Sequence, residues 1–232
     1  MLTRIRHAAA VLWQFRYHVL CSLVALALWD TFLIKPFRLF VVTVHEVCHA
    51  GAALLTGGEV VEMRTALDES GHTLARGGVF AVISAAGYVG SAFLGSLLIY
   101  TGKLPLLQRL VLLLIGGTTM GMTMRYTPVG APDFYLGLFG GLVFTFMAIK
   151  SQPATAAGSI WLGVMLCLYS LDDFRTDLWL YPEQTDAGIL ANHWGHRLLA
   201  YPIALSWVLV SLWMMYRSMR ALVGEEGGRR KP

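Results

Sequence analysis

Apolar residues run along most of this chain in stretches of about 17 to 24, separated by short polar or Pro/Gly-rich breaks. That length matches the roughly 20 residues a helix needs to cross the hydrocarbon core of a bilayer. The pattern predicts spans at about 18–34, 37–56, 78–101, 105–122, 134–150, 154–171 and 198–216. It changes character twice. Over residues 59–77, Val60, Met63, Thr65 and Leu67 alternate with polar positions, Asp68-Glu69-Ser70-Gly71 signals a turn, and Thr73 and Leu74 follow. This predicts a β-hairpin, and a hairpin between membrane spans must have its edges paired, buried or in water. Residues 174–197 are the most polar stretch, carrying Arg175, Asp177, Glu183, Asp186, His193 and His196. Within it, Thr185-Asp186-Ala187 reads as a helix start with Thr185 or Asp186 as N-cap, which gives Asp186 a structural task. The expected fold is an α-helical integral membrane protein of about six or seven transmembrane helices, with a small β-hairpin after the second span. Residues 1–232 read as a single integral domain, with 1–17 an interfacial N-terminal segment and 217–232 a basic C-terminal tail.

Composition agrees with that pattern. Hydrophobic residues make up 56% of the 232 and charged residues only 14%, with mean hydropathy +0.59. A soluble domain carries nearer 25% charge. The net charge of +4 is spread over short loops and both ends, where it sets topology and meets lipid headgroups rather than nucleic acid. Two basic ends favour both in the cytoplasm, whereas seven crossings would separate them, so one segment (the first, or the Pro/Gly-broken one) is expected not to cross fully. The basic start resembles a signal peptide, but Arg16-Tyr17-His18 interrupts the apolar run, which marks an uncleaved first segment. Cys21, Cys48 and Cys167 lie in apolar segments, an odd set that argues against a disulfide framework.

The candidate chemistry sits in the second span, where FVVTVHEVCHAGAALLTG contains an HExxH. On a helix His45 and His49 project from one face and can share one zinc ion, with Glu46 beside them as general base towards a water. These side chains are costly in lipid unless they face a protein interior or a water-filled cavity. Cys48 reads as a small packing residue, His72 as an exposed hairpin histidine, and His193 and His196 lack the company of a second metal site. Arg125 to Asp133 forms a Pro/Gly-rich break that delivers Asp133 to the start of the next span. Small residues at Ala86, Gly87, Gly90, Ser91 and Gly95 suit close helix approach.

Taken together, His45-Glu46-Val47-Cys48-His49-Ala50, Thr56-Gly57-Gly58, the SGHTLARGG hairpin, Ala86-Gly87-Tyr88-Val89-Gly90-Ser91-Ala92 and Thr185-Asp186-Ala187 resemble the site-2 protease family of intramembrane zinc metalloproteases, and within it the B-like branch. The resemblance covers about residues 40–200, specifically in its first half and loosely in its second. It implies Zn²⁺ as cofactor, hydrolysis of peptide bonds in a transmembrane protein substrate, and a hairpin that pairs with the unwound substrate as an added strand. It also implies an aspartate as third metal ligand, from an LDG element that this chain lacks. By position Asp133 is the match, and Asp173 or its neighbour Asp172 is the alternative. The expected setting is a bacterial plasma membrane, with the lipid bilayer and a membrane-embedded protein as partners and no nucleic acid. The rival readings are an inactive scaffold or chaperone of the same fold, and a proton- or metal-handling transporter.

Overall fold

The computed structural model describes residues 11–179 and 185–228, except for the side chains of 173, 175–179 and 224–228. Its helices are α1 (Arg16–Ala27), α2 (Lys35–Leu55), α3 (Phe80–Ala85), α4 (Ser91–Tyr100), α5 (Pro105–Tyr126), α6 (Pro132–Lys150), α7 (Gln152–Trp179), α8 (Asp186–His193) and α9 (Ala200–Gly228). A π-turn, Ala86–Gly90, joins α3 to α4 into one rod, and two strands, β1 (Glu59–Thr65) and β2 (Gly71–Arg76), lie between α2 and α3. Six helical stretches among the described residues are long and apolar enough to cross a membrane: α2, the α3–α4 rod, α5, α6, α7 and α9. The chain is a multi-pass membrane protein.

The expected first span is cut short. Helix α1 has 12 residues, about 18 Å at 1.5 Å per residue, and residues 28–34 form turns before α2 begins. Elsewhere the breaks fall where local chemistry demands. Proline stands in the first turn of α2, α5 and α6, where its missing N–H costs no helical hydrogen bond. Helix α2 stops at Gly57, whose φ is +81°. There Gly58 N–H donates to Ala53 O at 2.8 Å and Gly57 N–H to Leu54 O at 3.2 Å, closing the last turn in the Schellman pattern that glycine permits.

Helix α2 is the central pillar, with 67% of its apolar window buried against 28% for the last span. One of its faces joins the main core of Phe40, Val41, Val44, Leu98, Leu112, Phe144, Leu162 and Leu166. Another packs on the hairpin through Val47, Ala50, Ala53, Val60 and Met63. The predicted hairpin is present and antiparallel, pairing Glu59 with Arg76 and Thr65 with Gly71, with an irregularity between Val60 and Glu62.

The hairpin lies lengthwise along α2. Thr65 Oγ1 is 3.2 Å from Thr43 Oγ1, Thr73 hydrogen-bonds Glu46, and the tip residue Glu69 pairs with Arg38 near the start of α2. The outer edge of β1 is closed by side chains: Thr127 Oγ1 donates to Met63 O at 3.0 Å and Thr65 N–H donates to Asp133 Oδ2 at 3.1 Å. The strand-edge liability noted from the sequence is thus met on the β1 side by polar groups from α6 and the loop that precedes it.

Candidate metal centre

The i, i+4 spacing places His45 and His49 on one face of α2, with ring centroids 4.7 Å apart. Both are buried, as is Glu46, at 4% exposure. The third group comes from far along the chain. Asp186 Oδ2 lies 3.1 Å from His45 Nε2 and 3.0 Å from His49 Nε2, and the three candidate ligand atoms all lie within 4.8 Å of one another. Tetrahedral ligands at about 2.05 Å from zinc would stand about 3.3 Å apart, so the carboxylate oxygen stands from each imidazole nitrogen at a spacing close to the one the ion needs.

The surroundings prepare that donor set. His49 Nδ1 is 2.6 Å from Ile83 O. A proton on Nδ1 satisfies that carbonyl and leaves the Nε2 lone pair facing the cluster, as the outer partners of metal-binding histidines do. His45 is met edge-on by the Tyr88 ring, with centroids 5.1 Å apart at 77°, and Tyr88 is backed by Trp207 of α9 at 5.7 Å. Gly87 on the π-turn lies so close that a Cβ there would overlap Nε2 of both histidines. The π-turn thus brings backbone, then an aromatic ring, against the histidine pair; such turns recur at functional sites.

Asp186 is the first residue of α8, whose N-cap Thr185 accepts from Gly188 N–H at 3.1 Å. Gly195, with φ +77°, ends the helix by the same pattern as Gly57: His196 N–H donates to Ala191 O at 3.1 Å and Gly195 N–H to Asn192 O at 2.9 Å. Burial alone would raise the Asp186 carboxyl. The facing His49 and His45, in their protonated form, outweigh it and hold the group below the usual carboxylate range.

Glu46 is positioned by the hairpin. Thr73 Oγ1 lies 2.8 Å from Glu46 Oε2 and 3.1 Å from Glu46 O, and Gly71 approaches Oε1 so closely that a Cβ would collide with it. The general-base candidate therefore stands beside the donor cluster with one carboxylate oxygen tied by a hydroxyl.

The structure places Asp186, rather than the expected Asp133, beside the two histidines. Asp133, buried at 4% exposure, lies outside the cluster; its Oδ2 accepts from Arg64 Nε at 2.8 Å and from Thr65 N–H. Its position after Pro132 gives it the task of tethering β1 to α6. The Asp173 side chain lies outside the described residues, and Asp172 accepts from Trp29 Nε1 at 3.0 Å. The signal for Asp186 was present in Thr185-Asp186-Ala187, but its helix-start chemistry accounted for it locally. Cys48 packs against Gly90. His72 and His196 are exposed, and the His193 ring meets that of Phe80 at 4.5 Å in a tilted contact; none of these joins a metal-binding group among the described residues.

A family model described as Peptidase M50B-like matches residues 18–218 of the chain. No functionally curated protein and no solved structure gives a significant match.

Proposed function

The chain belongs to the Peptidase M50B-like family, and from that premise we propose that it is an intramembrane zinc metalloendopeptidase acting on membrane-embedded protein substrates. The observation that carries the reading is the convergence of His45, His49 and Asp186 on one point, with Glu46 beside it. His45, His49 and Asp186 would hold the zinc ion. Bound zinc supplies Lewis acidity, polarising a carbonyl and lowering the pKa of water to about 7. Glu46 takes the proton of the attacking water and returns it to the leaving amine. Thr73 keeps its carboxylate aimed while this happens.

A substrate helix shields its own amides and must unwind locally before its backbone can be attacked. The hairpin offers the unwound segment a partner. Thr127 and Asp133 close the outer edge of β1, and among the described residues β2 has no such side-chain cap. Strand addition therefore falls to β2, whose Thr73 and Gly71 already touch Glu46, so a paired backbone lies beside the reacting groups.

The test is metal content and cleavage measured together, on protein purified in detergent and supplied with zinc. The wild type is expected to hold about one zinc per chain and to cleave a membrane-embedded reporter helix. Glu46→Gln is expected to keep the metal and lose cleavage; cleavage that survives in Glu46→Gln removes Glu46 as the base.

A further inference from the structure

Among the described residues Glu69 is the one non-glycine with a positive φ, at 73°. A long side chain is uncommon in that conformation, and the chain keeps it at the hairpin tip although glycine follows two positions later. Its carboxylate forms an ion pair with Arg38, both side chains being largely buried at 13% and 18% exposure. Arg38 is itself held: Nη1 donates to Trp29 O at 2.6 Å, and the guanidinium lies 5.1 Å over the Trp29 ring. Trp29 Nε1 donates to Asp172 Oδ2 at 3.0 Å, and the Trp29 ring lies 6.5 Å from that of Tyr169. The tip of the hairpin is thereby tied, through one guanidinium, to the α1–α2 connection and to α7.

Arg38 precedes His45 by seven residues, which puts both on the same face of α2, two turns apart. Strand β2 begins two residues after Glu69, and its Thr73 is the residue that holds Glu46. The Arg38–Glu69 pair and the Thr73–Glu46 contact are therefore two points that fix β2 lengthwise on α2.

We propose that Arg38 and Glu69 are positioning residues: the pair clamps the hairpin tip and so sets β2, and with it Thr73, against Glu46. The consequence for catalysis rests on the reading of Glu46 as the base; the clamp itself does not. A turn that served only to reverse the chain would use glycine at φ 73° at no steric cost, so the glutamate is explained by the partner it reaches.

The experiment is hydrogen–deuterium exchange on the full chain in detergent or nanodiscs, comparing wild type with Arg38→Gln, Glu69→Gln, Glu69→Gly and the double Arg38→Gln/Glu69→Gln. Amides of residues 71–76 are expected to exchange about tenfold faster or more in each single variant, because local opening becomes easier. The double variant is expected to match the singles, since either loss releases the clamp. Glu69→Gly is decisive: glycine relieves the backbone, so a purely local role predicts unchanged or slower exchange, and that result overturns the proposal. Where Arg38→Gln does not fold, Glu69→Gly carries the comparison alone. Zinc content and the kcat and KM for cleavage of the reporter helix are measured on the same samples: a lowered kcat with KM kept is expected, and an unchanged kcat overturns the positioning role. Wild-type protein without zinc would overturn the catalytic reading and leave the exchange result standing; faster exchange with zinc retained is the expected outcome.

Discussion

At the scale of single residues, the half-buried Asp186 and the buried Asp133 have separable tasks. Asp186 shares one carboxylate oxygen with both imidazoles. Asp186→Ala should therefore reduce zinc affinity by more than about 100-fold, beyond the 10–100-fold typical of outer partners. Asp133→Ala should leave zinc in place. It strands the buried Thr65 N–H, at a cost to stability of about 1–3 kcal/mol. Metal analysis and thermal unfolding of the two variants distinguish these outcomes, and zinc lost with Asp133 but kept without Asp186 would reverse the assignment. Glycines divide in the same manner. Gly87→Ala drives a methyl into both ligand nitrogens, whereas Gly51→Ala, on the HExxH helix itself, meets nothing within 4 Å. The first should lose bound zinc. The second should keep it and gain roughly 0.5–1 kcal/mol from helix propensity.

At the scale of elements, what could be read from the sequence was what is encoded locally. His45 and His49 are four residues apart, so helical geometry alone joins them. The hairpin announces itself through alternation and the Asp68–Gly71 turn, and α8 through its cap. Asp186 at the cluster, Arg64 on Asp133 and Arg38 on Glu69 are tertiary meetings across 141, 69 and 31 positions, and no spacing rule reports them. Asp133 stood where a ligand was expected by order along the chain, yet the hairpin claimed it first. The first span was overestimated because apolar residues continue past Ala27 through turns that do not extend the helix. The hairpin also carries a prediction of its own. Thr73→Val is close in shape but cannot donate to Glu46, so it should retain zinc and lower cleavage on the order of tenfold to a hundredfold. Thr73→Ser restores the hydroxyl and should recover most of the rate. Equal rates for Val and Ser would show that the hydroxyl does not position the base.

At the scale of the molecule, six candidate spans among the described residues fit two basic ends on one side of the membrane, because an even number of crossings returns a chain to the side it left. The same architecture determines what the metal does for stability. Helix α2 is the buried pillar, whereas α8 is a short helix that follows the end of α7 and carries Asp186 to that pillar. The His45–His49–Asp186 cluster is thus a cross-link between an early helix and a late one, and an ion bound there stabilises only the folded arrangement that brings them together. Zinc at 100 times its dissociation constant should then stabilise the protein by about 2.7 kcal/mol, seen as a higher Tm in detergent that chelation reverses. Glu46→Gln leaves all three donors in place and should show the full zinc-dependent rise. Asp186→Ala removes the donor from α8 and should show little of it, even where its metal-free Tm equals that of the wild type. A zinc-dependent rise that persists in Asp186→Ala would mean that α2 alone holds the ion and that α8 does not complete the site.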